Sequence, residues 1–175
     1  MKFLSKNKDS DILAEGLVYQ ENRAENNKKL LELLIYEQNN FCAYTEKYIE
    51  GLDATEVEHF NSAIKYDDDY FNYYAVVRKA NLYKKDEKYK NSTFFKTLFF
   101  QNNEELNTRI KFTNNIYFEI NENDNEAKEL VDFLGFNNQI LSKQRNRHIE
   151  RLKDCFKKGN YSKEDITNYF LKHKQ

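Results

Sequence analysis

The stretch from residue 41 to residue 84 constrains the fold of this chain more than any other. Within it, FCAYTEKYI and TEVEHF have residue types typical of strands and flank a turn-forming segment at 50–53 that contains Gly and Asp. A polar loop at 65–69 follows, and the pattern over 73–84 favours a helix. The sequence therefore predicts a hairpin over 41–62 that leads through a loop into a helix.

Outside this stretch, helical and strand-like segments occur in separate blocks. Apolar residues three and four apart predict helix over 11–39, which Asn26-Asn27 could break into two. The segments FFKTLFF, TRIKFT and NIYFEI are rich in aromatic and β-branched residues and predict strands, with a hairpin turn at Asn114-Asn115. Helices are predicted again for NEAKELVDFLGF, which ends at Gly135, for 139–157, and for SKEDITNYFLKH.

These segments together predict an α+β fold in which helices dominate. A chain of 175 residues is most simply one domain with a real core. We expect a core over about 41–86, a helical N-terminal segment at 10–39 and a helical C-terminal tail at about 125–173.

The composition is that of a globular protein, because 39% of the residues are hydrophobic and 33% are charged. The formal net charge is -1 and the sequence pI is about 6.3, so the chain has no overall positive field to attract nucleic acid. Any contact with phosphate therefore requires a local basic patch, a bound cation or a basic partner.

Cysteine usage and hydropathy favour a cytoplasmic protein that does not bind membranes. The two cysteines, Cys42 and Cys155, are far apart and do not form a disulfide framework. The N-terminal residues MKFLSKNKDSD contain no apolar signal region, and no apolar stretch approaches the length of a membrane span.

Five residues between 58 and 84 have the types that phosphodiester hydrolysis needs: Glu58, His59, Asn72, Asn81 and Lys84. Histidine suits the deprotonation of water because its unperturbed pKa lies near cellular pH. A hard divalent cation stabilises negative charge on phosphate, and carboxylate and amide oxygens are its usual ligands. Glu58 and Asn81 would then bind the metal, while Asn72 would hold the loop and orient His59. Lys84, one helical turn after Asn81, could contact a substrate phosphate.

This spaced set resembles the HNH endonuclease superfamily, whose ββα-metal fold places a His on a strand and a final His or Asn on the helix. It is most similar to the PtuB-like branch of the Septu and retron-associated anti-phage systems. That branch shows CxYC, an EHFRPK-like strand, a WxN segment and CxxCNxxK. The matching segments here are Cys42-Ala43-Tyr44, Glu58-His59-Phe60, Tyr70-Phe71-Asn72, Asn81 with Lys84, and the tail LGFNNQILSKQR.

The chain departs from the branch at two places. Relatives with four Cys bind a structural zinc, whereas the positions here are Cys42, Thr45, Val77 and Ala80, so we expect no structural zinc and a packed core in its place. The second departure is Asn61-Ser62-Ala63, where relatives have RPK; it removes two basic groups beside His59 and puts catalysis and substrate binding in question.

The resemblance implies a Mg²⁺- or Mn²⁺-dependent HNH endonuclease that cuts DNA or RNA under the control of a partner ATPase. Two alternatives stay open: a degenerate HNH scaffold that only binds a partner, and an RNA-cutting toxin. For single residues the alternative is a purely structural role, since His59 could be an ordinary strand histidine. Asp67-Asp68-Asp69 lacks the spacing of an EF-hand and is predicted to be loop.

Overall fold

A buried antiparallel hairpin organises the fold in this computed structural model, which describes residues 4–113 and 116–157. Its strands are β1 (Thr55–His59) and β2 (Tyr73–Val77), with Thr55 opposite Val77 and His59 opposite Tyr73. Residues 60–72 connect the strands and contain two short 3-10 turns, Ser62–Ile64 and Tyr70–Asn72.

The predicted hairpin over 41–62 was therefore half wrong. TEVEHF does form a strand, but its partner is β2, while residues 41–49 form a loop in which Phe41 and Tyr48 make an isolated bridge.

The predicted helix over 73–84 was also wrong in its first half. Tyr73–Val77 is a strand, and helix α3 covers Arg78–Asn81. A short apolar run such as YYAVV has no period that separates a buried strand from a buried helix, which explains the error.

Strand β2 is buried on both faces. Its successive side chains point to opposite sides, and each side packs into its own cluster. Tyr73 and Ala75 join a smaller cluster with residues of the N-terminal helices. Tyr74 and Val76 face a larger cluster that includes Phe60. Its fully buried aromatic members are Tyr44, Phe60, Tyr74, Phe94, Phe99, Phe100, Phe133 and Phe136.

Two N-terminal helices cover the smaller cluster: α1 (Asp11–Ala14) and α2 (Ala24–Glu37). The helical prediction for 11–39 is confirmed for both, but the break lies at residues 15–23 instead of Asn26-Asn27. Asn27 in fact tethers that connection to α2, since its amide donates to the carbonyl of Gln20 at 2.7 Å and its Oδ1 accepts from the Gln20 N–H at 3.0 Å.

Three short helices follow α3, and the second of them contributes Phe94 to the aromatic core. They are α4 (Asp86–Tyr89), α5 (Phe94–Thr97) and α6 (Asn103–Arg109). The strand predicted for FFKTLFF was wrong: α5 ends at Thr97, the next residue, Leu98, has φ 51°, and a 3-10 turn follows at Phe99–Gln101. This reversal lets aromatic residues on both sides of Leu98 enter the same core, so packing overrides the strand propensity of the segment.

The predicted second hairpin is confirmed as β3 (Ile110–Thr113) and β4 (Ile116–Glu119), while its turn at Asn114-Asn115 lies outside the described residues. Helices α7 (Asn125–Phe133) and α8 (Gln139–Lys157) also match prediction, and Gly135 follows α7 with φ +61°. The helix predicted for SKEDITNYFLKH lies outside the described residues.

Mixed helices and short two-stranded sheets confirm the α+β class. The described residues form two compact units, one ending at Asn137 and one beginning at Asn138, which contains α8. Within residues 4–113 and 116–157, no helix is both long and apolar enough to cross a membrane.

Candidate functional site

His59 is the last residue of β1, and a carboxylate fixes its imidazole ring. Its Nδ1 lies 2.6 Å from Oδ2 of Asp68, and its side chain is 16% exposed. The rings of Tyr19 and Tyr73 pack edge-on against it at centroid distances of 4.9 and 5.4 Å. A carboxylate accepts but does not donate, so Nδ1 carries a proton, and in the neutral imidazole Nε2 is then the acceptor nitrogen.

Asp68 is itself held in place by other donors. Its side chain is 2% exposed; Oδ2 also accepts from the Asn72 amide at 2.7 Å, and Oδ1 accepts from the Tyr73 hydroxyl at 2.8 Å. Burial and the hydrogen bond to Asp68 raise the pKa of Tyr73, so its hydroxyl keeps its proton and donates. The carboxylate therefore has one defined orientation toward His59.

Asn72 closes the connection between the strands. Its Oδ1 accepts from the backbone N–H of Asn61 at 2.8 Å, and its amide donates to the Asn61 carbonyl at 3.1 Å. The same amide contacts Asp68, so Asn72 reaches His59 through that carboxylate. The sequence placed Asn72 beside His59 but missed Asp68 and Tyr73, because three consecutive Asp residues carry no sign of which one turns inward.

Glu58 and Asn81 meet on the other side of β1. The Asn81 amide donates to Oε2 of Glu58, and it lies 3.1 Å from Oε1 of Glu56. Glu56 and Glu58 share a face because they are two residues apart on a strand. Two carboxylates and one carboxamide thus converge at the end of α3.

Lys84 points inward, toward Glu58. Its ammonium donates to Oε1 of Glu58, to the carbonyl of His59 at 2.8 Å and to that of Phe60 at 3.3 Å, and Asp86 lies 3.0 Å away. The Lys84 side chain is 2% exposed and that of Glu58 is 9% exposed. Burial raises the pKa of Glu58, and the charge and hydrogen bonds of Lys84 and Asn81 act against this rise.

The site residues named from sequence therefore form two groups on opposite faces of β1. His59 and Asn72 meet through Asp68, while Glu58, Asn81 and Lys84 are in direct contact. Lys84 joins the groups, since it binds both the Glu58 carboxylate and the backbone carbonyl of His59.

Three of the four positions that correspond to zinc ligands in the resembling branch, Cys42, Val77 and Ala80, lie in or against one hydrophobic cluster. Cys42 is fully buried, and its Sγ accepts from the Val77 N–H at 3.3 Å. Ala80, 2% exposed, belongs to the same hydrophobic cluster. Nearby, Asn61 of the Asn61-Ser62-Ala63 segment caps a 3-10 turn, because its Oδ1 accepts from the Ala63 N–H at 3.1 Å.

The donor chemistry around Asn81 suits a hard cation. In the part of the chain that the structure describes, no three His, Cys, Asp or Glu residues cluster as a metal cage. Mg²⁺ needs no such cage, because it is commonly held by one or two carboxylates with waters completing an octahedron. Glu56 and Glu58 offer such oxygens, although the Glu58 carboxylate is paired with Lys84. Asn81 turns its amide nitrogen toward both carboxylates, so its Oδ1 would face an ion there only after the amide turns over.

Comparison of the chain with protein families, with curated proteins and with solved structures gives no match.

Proposed function

We propose that this chain is a metal-dependent HNH endonuclease of the PtuB-like type that hydrolyses phosphodiester bonds in nucleic acid. DNA is the favoured substrate over RNA. In this proposal the chain is the nuclease effector of an anti-phage system and acts with an ATPase partner. One observation carries it: a buried carboxylate, Asp68, holds Nδ1 of the histidine at the end of β1. The order of β1, loop, β2 and α3 around that histidine also supports it.

His59 is the general base in this mechanism. Because Nδ1–H donates to Asp68, Nε2 can accept a proton from a water molecule as that water attacks phosphorus. The resulting imidazolium lies beside the Asp68 carboxylate, which stabilises the new charge. As the new P–O bond forms, the bond to the leaving oxygen breaks, and that oxygen takes a proton from solvent.

Glu58, with Glu56 as an additional carboxylate, would hold Mg²⁺ or Mn²⁺, and Asn81 would join them after its amide turns to present Oδ1 in place of Nδ2. When bound, such an ion stabilises the charge on the phosphate and on the departing oxygen. Asn72 has the positioning role, because it fixes both the loop and Asp68.

The charge of the chain favours a partner for substrate binding. With a net charge of -1, the protein as a whole does not attract nucleic acid. Arg78, beside the site, is paired with Glu56 at 2.9 Å. A basic ATPase subunit or a local contact must supply the attraction, and Lys84 could contact phosphate only after it leaves Glu58.

The proposal is tested with purified protein, plasmid DNA and single-stranded RNA in Mg²⁺ or Mn²⁺. We expect His59→Ala to lower the cleavage rate about 10²- to 10⁴-fold, the range of general-base catalysis. Asp68→Asn should give a large loss as well, because an amide can donate to Nδ1 and stabilise the wrong tautomer. Asp67→Asn is the matched control, since Asp67 is the exposed neighbour and should leave the rate unchanged.

Cleavage that is equal in wild type and His59→Ala would refute the catalytic role. A second measurement does not depend on turnover: ¹⁵N chemical shifts of the His59 ring report which nitrogen carries the proton. We expect a protonated Nδ1 in the wild type and a changed tautomer population in Asp68→Asn.

A second candidate function is a non-catalytic HNH-like subunit that docks a partner. The contact of Lys84 with Glu58 favours it, because the carboxylate is already neutralised without a metal. This alternative predicts that Glu58→Ala and Asn81→Ala keep anti-phage activity in cells, whereas the nuclease proposal predicts that both lose it.

A further inference from the structure

The Lys84 ammonium is placed where a cation bound to Glu58 would be. It lies on Oε1 of Glu58, it is 2% exposed, and two backbone carbonyls at the end of β1 also accept from it. A lysine that only stabilised the fold could meet these conditions. What makes this one unusual is that the same Glu58 carboxylate accepts from the Asn81 amide, which also contacts Glu56, so a second carboxylate lies beside the one that Lys84 neutralises.

Lys84 has a second acidic partner that lies nearer to solvent. Asp86 is 3.0 Å from its Nζ, and the Asp86 side chain is 36% exposed, compared with 9% for Glu58. The ammonium can therefore leave Glu58 and keep one ion pair by turning toward Asp86. Lys84 is linked to Asp86 by one intervening residue, so the move requires side-chain rotation and no rearrangement of the hairpin.

A divalent cation and an ammonium cannot both bind Glu58 closely, because like charges a few ångströms apart repel strongly in a desolvated site. We propose that Lys84 is the resting counter-ion of Glu58 and that a divalent cation displaces it toward Asp86. This inference rests on the proposed function for the identity of the ion. It makes Lys84 a switch: inward without metal, outward and able to meet a substrate phosphate with metal.

Lysine reactivity in the wild-type protein tests the displacement directly. The full chain is labelled with an amine-specific reagent with and without saturating MgCl₂, and mass spectrometry gives the rate at each lysine. We expect labelling of Lys84 to rise about tenfold with Mg²⁺, as a buried group becomes exposed. Lys85, already 43% exposed, is the internal control and should not change. In Glu58→Gln, the Mg²⁺ effect at Lys84 should disappear.

Calorimetry with MnCl₂ supplies the second measurement. Lys84→Met should bind Mn²⁺ about tenfold more tightly than wild type because a competing charge is gone, and Lys85→Met should bind as wild type does. The inference is overturned if no ion binds, or if an ion binds while Lys84 stays protected. Lys84 exposure together with cleavage that is equal in wild type and His59→Ala would overturn only the nuclease proposal. Metal- and His59-dependent cleavage with Lys84 still protected would overturn only this inference.

Discussion

Replacing Lys84 with Met should strongly destabilise the protein, and the contacts of the two charged groups set the size of the effect. Without Lys84, the Glu58 carboxylate keeps Asn81 as a hydrogen-bond partner but loses its counter-ion while remaining 9% exposed. Removing one member of a buried ion pair typically costs about 3–5 kcal/mol, because an uncompensated charge remains. We expect a loss of that order in the free energy of unfolding.

The complementary change, Glu58→Gln, should cost less. The Lys84 ammonium would keep the carbonyls of His59 and Phe60 and the carboxylate of Asp86, and Gln can still accept a hydrogen bond. We expect about 1–2 kcal/mol, the value of one weakened charged hydrogen bond.

Urea unfolding at neutral pH, followed by circular dichroism, measures both losses. Lys85→Met is the control, since the Lys85–Asp132 pair is exposed and such pairs contribute at most about 1 kcal/mol. Equal losses for Lys84→Met and Lys85→Met would refute the description of the Glu58–Lys84 pair as buried and interdependent.

The cost of Lys84→Met should also depend on pH. Burial raises the pKa of Glu58 above its ordinary value of 4.5, and loss of Lys84 removes the main opposing influence. A raised carboxyl pKa contributes stability that is present below 4.5 and is lost as the pH rises through the folded-state pKa. The difference between wild type and Lys84→Met should therefore be largest at neutral pH and shrink as the pH falls toward 4.5.

Three further predictions concern the rest of the fold. Gly135→Ala should cost about 1–3 kcal/mol by thermal melting, because its φ is +61° and a Cβ would lie 2.7 Å from a carbonyl oxygen; Gly51→Ala, with nothing within 4 Å, should be nearly neutral. Phe60→Ala should cost about 3–5 kcal/mol in urea, since this ring is 2% exposed within the aromatic core. The hydrogen bond from Arg109 holds the pKa of the Asp124 carboxyl below its ordinary value of 3.8. The stability that this ion pair contributes is therefore present above pH 3.8 and is lost as the pH falls through the pKa of Asp124 in the folded protein. In unfolding curves measured over a pH series, Asp124→Asn should reduce this loss of stability at acid pH.

Sequence patterns predicted the long periodic helices and the β3–β4 hairpin better than the centre of the fold. The helix over 139–157 and the one that ends before Gly135 have clear apolar periods and end signals. The partner of β1 could not be predicted, because residues 60–72 separate β2 from β1 in the chain and the apolar run of β2 has no period. The turn at Leu98 could not be predicted either, since only the shared core explains it.

The candidate site was predicted in part. His59 and Asn72 do lie near each other, and Glu58 contacts Asn81. Asp68 was missed because its inward direction depends on donors from Asn72 and a tyrosine hydroxyl that are brought to it by the strand pairing. The inward position of Lys84 could not be predicted from the sequence either, because a lysine side chain is ordinarily expected to be exposed.

Phe60 ties the end of β1 to the aromatic core. Its ring stacks on Phe100 at 4.2 Å and touches several other aromatic rings, and it follows His59 directly in the chain. The backbone that carries the imidazole is thus anchored in the aromatic core. If the chain is the nuclease proposed above, adjustment to bound nucleic acid would come from the surface loops, and substitutions in this core should disturb cleavage as well as stability.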